Sequence, residues 1–198
     1  MNRIDFLQKV KTYLPLNPVC IEIGVHEGFF AKNIYDILNP SKLYLIDPWT
    51  ISADKNSPNP QYQGELMGLN TAYSTNDNLL QVKQTFQNQI IDHKVIIQKN
   101  FSYDAVDNFV NEYFDFVYID ATHIYECVKA DLNMYFPKLK KTGLMCGHDY
   151  IYHTSFSVIQ AVDEFISQNN GNIILKSNEG DFAIQFNKNH LTTQELEI

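Results

Sequence analysis

Apolar residues recur at helical spacing over residues 4–14, where Ile4, Phe6, Leu7, Val10 and Leu14 share one side. The LPLNP segment ends that helix, because proline lacks an N–H and restricts the residue before it. VCIEIGV is a short apolar run that closes on Gly24, the pattern of a buried strand. HEGFFAKNIYDIL returns to helical spacing, with Phe29, Phe30, Ile34 and Leu38 as its apolar face. After an NPSK turn, KLYLIDPW reads as a second buried strand ending at Asp47-Pro48. Helical spacing resumes over 78–91, and KVIIQKN is a third strand. SYDAVDNFVNEY reads as a helix with Ser102 as its N-cap, and FDFVYID as a fourth strand. THIYECVKADLNMYFPKL is a helix, and a Lys-Lys-Thr-Gly turn leads into the fifth strand, GLMCGHDY. SFSVIQAVDEFISQN is the last helix, and NIILKSNEGDFAIQF gives two strands around a turn at Asn178-Glu179-Gly180.

Strands that alternate with helices imply a parallel sheet covered on both faces. The expected fold is therefore α/β: a Rossmann-like, doubly wound sheet of seven strands, mostly parallel, with one antiparallel strand near the C-terminus. The 198 residues suit a single domain spanning 1–198. Residues 49–77 stand apart, rich in Ser, Asn, Pro, Gly and Tyr and without periodicity. Loops of that length are often functional, so the segment is expected to form a lid carrying Trp49, Tyr62 and Tyr73, with Tyr150, Tyr152 and His153 as an opposite wall.

Charge narrows the partners. Fifteen Lys and Arg face 23 Asp and Glu, a net charge of −8, which argues against a nucleic-acid backbone as ligand. No apolar run approaches the ~20 residues of a membrane span, and the first residues lack a signal-peptide core. Cys20, Cys127 and Cys146 have neither disulfide nor zinc spacing and read as small buried hydrophobes in a reducing, cytoplasmic setting. A small-molecule substrate is the expected partner, and the aromatic content of 13% leaves room for a homo-oligomer.

Ligands of doubly wound sheets bind beyond the carboxyl ends of the strands. Here those ends carry Glu22-Ile23-Gly24, Asp47, Asn100-Phe101-Ser102, Asp120-Ala121-Thr122-His123 and Gly147-His148-Asp149-Tyr150. Gly24 and Gly28 bracket a strand-to-helix turn, where glycine permits left-handed backbone and close approach of a ligand. Asp47 follows Gly24 by 23 residues, a spacing that suits a carboxylate accepting both hydroxyls of a ribose. The spacing is not GxGxxG, and Glu22 beneath the turn would repel a pyrophosphate but tolerate a cationic ligand.

The ordered set EIGVHEG, LIDPW, FDFVYIDATHIYECVKADL and GLMCGHDY resembles class I S-adenosylmethionine-dependent methyltransferases. It is most similar to the small-molecule and sugar O-methyltransferases with an IDxxHxYE segment after the fourth strand and an HDY segment after the fifth. The resemblance implies that Gly24 and Gly28 lie against the methionine part of S-adenosylmethionine with Glu22 beneath. It implies that Asp47 holds the ribose, that Phe101 and Ser102 flank the adenine, and that Asp120 lies near the methionine amino group, the sulfonium or a metal. One departure is Thr142-Gly143, where such sequences often have Gly-Gly.

His123, His148 and Asp149 are the expected catalytic residues, and three readings of them stay open. Asp120 and Asp149 bind Mg²⁺, which holds substrate oxygens and acidifies the acceptor hydroxyl. Alternatively His123 or His148 takes the hydroxyl proton as general base. In the third, neither applies, and His123 only caps the helix that follows. Two other classes stand beside the methyltransferase: a nicotinamide-dependent oxidoreductase, and a cofactor-binding relative without catalysis.

Overall fold

The computed structural model describes residues 1–50, 75–152 and 156–187. Tyr62, Tyr73, His153 and most of the expected lid lie outside the described residues. Chain order runs α1 (Arg3–Lys11), β1 (Val19–Ile23), α2 (Phe29–Leu38), β2 (Lys42–Ile46), α3 (Asn76–Thr85), α4 (Gln87–Ile91), β3 (Val95–Gln98) and α5 (Ser102–Ala105). It continues with β4 (Phe114–Ile119), α6 (Tyr125–Tyr135), β5 (Leu139–Gly147), α7 (Phe156–Gln168), β6 (Gly171–Lys176) and β7 (Phe182–Phe186). Strand order across the sheet is β3-β2-β1-β4-β5-β7-β6. The first five are parallel neighbours, and β7 runs antiparallel to both β5 and β6. The expected architecture is therefore the one observed, and the chain direction of the crossovers reverses between β1 and β4.

Two apolar layers form because side chains alternate along each strand. Cys20, Phe116, Tyr118, Leu144 and Cys146 face the layer shared with α1, α2 and α3. Ile21, Ile23, Val117, Ile119 and Met145 face the layer shared with α6 and α7. Glu22 is paired in register with Tyr118, so it points to the α1 side, where only apolar or paired groups are otherwise at home. All three cysteines are buried and none is in a disulfide. Among the described residues no helix is long and apolar enough to cross a membrane.

Several local expectations change. The helix expected over 78–91 is two helices, because Phe86 leaves helical geometry (φ −107°, ψ 19°) to sink fully into the core. SYDAVDNFVNEY makes only α5 and one 3-10 turn, Val106–Asn108. Phe109 then turns extended, and its ring packs on Tyr44, Tyr113 and Phe114. Ser102 is the first helical residue rather than the cap, and Phe101 caps without a side-chain bond. The Lys-Lys-Thr-Gly stretch lies within β5, as an irregularity: Phe114 pairs with Leu139 and Phe116 with Leu144. Lys140 reaches back to both oxygens of Asp115 at 2.9 Å, which ties the bulge to β4. Phe29, expected on the buried face of α2, is 68% exposed at its first turn, while Phe30 turns inward.

The contrast between the two faces is measurable. Phe116→Ala should cost ~3–5 kcal/mol of folding free energy, since a fully buried ring leaves a cavity. Phe29→Ala should stay within about 0.5 kcal/mol. Urea unfolding of both variants checks this.

Candidate active site

The turn after β1 is built on backbone constraints. Gly24 has φ +87°, and a Cβ there would lie 2.1 Å from the Asp120 carbonyl oxygen. The end of β1 therefore touches the end of β4 backbone to backbone, and any larger residue would push Asp120 away. Gly28 caps α2 in the left-handed region (φ +80°), with Val82 of α3 against the space its side chain would need. Both glycines thus answer a crowding within the fold, in addition to any ligand.

Asp47 is 4% exposed and already serves the turn. Its Oδ2 accepts from the N–H of Val25 at 3.0 Å and of His26 at 2.9 Å, and its Oδ1 accepts from the N–H of Trp49 at 2.7 Å. A carboxylate has about four acceptor positions, so one on Oδ1 remains for a further donor. Trp49, expected in the lid, is 1% exposed, with its indole N–H donating to the His26 carbonyl at 2.9 Å. It is a core residue that locks the same turn. Its position in a polar stretch concealed this.

Asp149 is the centre of the second cluster. Its backbone is left-handed (φ +62°), a conformation Asp tolerates better than most residues but which still carries strain. That bend sets its Oδ2 2.8 Å from His123 Nε2 and 3.0 Å from His148 Nδ1. Asp120 Oδ1 lies 3.9 Å from each of the same two nitrogens. The structure thus brings Asp120, His123, His148 and Asp149 together. Ligand atoms of Asp120, His123 and Asp149 lie within 4.8 Å of one another.

These contacts set the charges. The neighbouring carboxylates of Asp120 and Asp149 push the His123 imidazole up to about 10. Burial disfavours the charge on His148, but its hydrogen bond to Asp149 and the Asp120 charge outweigh that and raise it as well. Burial alone would raise the Asp149 carboxyl, but the two imidazoles hold it well below its ordinary range. Glu22 behaves in the opposite way. Burial, with Asp120 close by, drives its carboxyl far up, and its Oε2 is buried with no hydrogen-bond partner among the described residues.

Arg3, Tyr118 and Asp181 were not anticipated from the sequence. Arg3 Nε donates to Asp181 Oδ1 at 3.1 Å, and Nη2 donates to the Tyr118 hydroxyl at 2.7 Å and to Asp120 Oδ2 at 3.3 Å. A signal did exist: Arg3, Phe6, Leu7 and Val10 follow the i, i+3, i+4, i+7 spacing of the buried face of α1. Phe101 and Ser102 stand apart, after edge strand β3. Phe101 is half-buried and stacks on Tyr103, while the Ser102 hydroxyl donates to Asp131 at 2.6 Å and so faces inward. Tyr150, an expected wall residue, donates its hydroxyl to Asp163, and Tyr152 is exposed.

Two outcomes are expected. Gly24→Ala should destabilise the protein and displace Asp120, visible as a lower melting temperature and a shifted Asp120 in a crystal structure. His123→Gln should show a pH-dependent stability loss. A raised histidine stabilises fully below its ordinary 6.5 and loses that as pH rises through about 10. A depressed Asp149 stabilises above its ordinary 3.8 and loses that as pH falls. The cost of His123→Gln in urea melts should therefore be greatest between those two values and vanish above about pH 10.

Solved structures share this fold at low identity. The O-methyltransferase NovP aligns with a TM-score of 0.66 at 16% identity, over 93% of this chain and 79% of its own. A Corynebacterium glutamicum protein aligns at 0.65 and 15%, over 92% and 79%. A Staphylococcus aureus protein assigned as a caffeoyl-CoA O-methyltransferase aligns at 0.59 and 17%, over 93% and 84%. No curated protein sequence matches the chain. A methyltransferase-domain profile does match residues 21–150, which run from β1 through the Asp149 cluster and make up more than half of the chain. The chain belongs to that methyltransferase family.

Proposed function

We propose that this protein is an S-adenosylmethionine-dependent O-methyltransferase for a small hydroxylated acceptor, such as a sugar or other polyhydroxylated metabolite, assisted by a divalent cation. The observation that carries the reading is the placement of Asp120, His123 and Asp149 around one point at the ends of β4 and β5. The buried, partnerless Glu22 oxygen lies on the same edge of the sheet. An uncompensated buried carboxyl is costly, and a cationic ligand group is the chemistry that compensates it. The sulfonium cofactor fits that requirement. Two carboxylate oxygens and an imidazole suit a divalent ion of the Mn²⁺ or Co²⁺ kind at least as well as Mg²⁺. A nicotinamide-dependent reading is set aside by the family match.

When bound, the cofactor supplies an electrophilic methyl group, and the cation lowers the pKa of an acceptor hydroxyl. The chain has to hold an acceptor oxygen in line and take its proton. The Asp149 carboxylate beside both imidazoles favours their protonated forms, which makes each a weaker base. Asp120 and Asp149 would hold the cation, and its charge would weaken their hold on the histidine protons, so that His148 Nδ1 would be able to accept the proton of the acceptor hydroxyl. Oxygen methylation is favoured by the two O-methyltransferase folds among the neighbours, although one fold hosts many acceptors.

Calorimetric titration with S-adenosylhomocysteine, followed by methyl transfer to a panel of sugars and catechols, tests the reading. Micromolar binding and transfer that stops with EDTA and returns with Mn²⁺ or Mg²⁺ are expected. Glu22→Gln should weaken S-adenosylmethionine, which carries the sulfonium that S-adenosylhomocysteine lacks, about tenfold while leaving the melting temperature equal or higher, since a buried acid is gone. Absence of binding sinks the cofactor assignment. Transfer undiminished by EDTA sinks the metal, and binding without transfer to any acceptor indicates a non-catalytic relative.

A further inference from the structure

We infer that Arg3 of α1 is a positioning residue that holds Asp120 away from the two histidines and so keeps the centre of the site open. The inference rests on the reading of Asp120 as a ligand-holding carboxylate. Arg3 is fixed from several sides. Its Nε is on Asp181, whose side chain is fully buried, and its Nη2 is shared between the Tyr118 hydroxyl and Asp120 Oδ2. Its guanidinium lies 4.0 Å above the ring of Phe30. Asp181 is held in turn by the Tyr118 hydroxyl at 2.5 Å and the Ser177 hydroxyl at 2.6 Å. The start of α1 is tied to the same turn, since the Asn178 N–H donates to the Met1 carbonyl at 2.9 Å. Guanidinium geometry suits this work: a rigid planar fork presents donors on separate nitrogens to two carboxylates in fixed directions, whereas an ammonium offers all its donors from one atom.

Asp120 is pulled in two directions. The ring nitrogens of His123 and His148 face it on one side and the Arg3 guanidinium on the other. The outcome is a 3.3 Å contact to Arg3 and 3.9 Å to both histidine nitrogens. Those latter distances exceed a hydrogen bond. With Oδ2 committed to Arg3, Oδ1 faces His123, His148 and Asp149 across a gap. Without Arg3, the attraction of the histidines is unopposed, and Asp120 closes onto them. Partners that orient a ligating carboxylate in this way typically change metal affinity by ~10–100-fold.

The test uses two variants of the full chain. The double variant Arg3→Met/Asp181→Asn removes the guanidinium together with the buried carboxylate it pairs, so that no unpaired buried charge is left. Arg3→Lys keeps the charge and loses the fork, and serves if the double variant fails to fold. Crystal structures of wild type and variant should show the Asp120 carboxylate moving to about 3 Å from His123 or His148. Mn²⁺ titration followed by electron paramagnetic resonance should show about tenfold weaker binding. Asp120 unmoved in a variant lacking the Arg3 fork overturns the inference, as does Mn²⁺ affinity equal to wild type. If wild type itself binds no Mn²⁺, the metal assignment fails, and the position of Asp120 in the crystal structures alone decides the role of Arg3.

Discussion

Carboxylates crowd the edge of the sheet where β1, β2, β4 and β5 end, and each of them has to be neutralised by something. Asp47 is satisfied by three backbone N–H groups. Asp181 is satisfied by Arg3, Tyr118 and Ser177. Asp149 shares one oxygen between two imidazoles. Glu22 is driven toward its neutral form by burial. Asp120 is only half compensated, through one long contact to Arg3. These are separate solutions to one constraint, and the last two are incomplete. An edge that leaves Asp120 half compensated at the switch point of a doubly wound sheet is a place where positively charged ligand groups gain the most.

The same edge ties fold to site through the backbone. Gly24 lies so close to the Asp120 carbonyl that the height of Asp120 is set by the pairing of β1 with β4. Asp149 reaches the histidines because its backbone turns left-handed at the end of β5, where a Cβ on Gly180 would come within 3.3 Å of the Asp149 backbone and the Tyr150 N–H donates to the Gly180 carbonyl. The antiparallel strand β7 thus does more than close the sheet. Its leading turn supports Asp149, and its first buried acid, Asp181, anchors Arg3.

Strand ends were legible in the sequence because apolar runs stop abruptly there, and a polar residue just past a buried run has few other places to go. Glu22, Asp47, Asp120, His123, His148 and Asp149 were all found by that rule. Residues that reach the site sideways were not. Arg3 sits on a helix, where a charge ordinarily reads as solvated, although its register with Phe6, Leu7 and Val10 placed it inward. Trp49 was hidden because the residues after it are polar, and only the indole hydrogen bond to His26 reveals its burial. Phe86 and Phe109 broke the expected helices for one reason: a large ring gained more from the core than the backbone lost by leaving helical geometry. Periodicity measures which face a residue is on and carries no information about that trade.

The protonation of the histidines follows from the same excess of acid. The Asp149 carboxylate, shared by two imidazoles, favours the protonated form of each. Positive charge arriving at Asp120 and Asp149 competes directly with those protons. Under the proposed reading, loading the site and freeing a proton acceptor are then one event rather than two. On that reading, the readiness of the base follows occupancy of the site through the charge on Asp149.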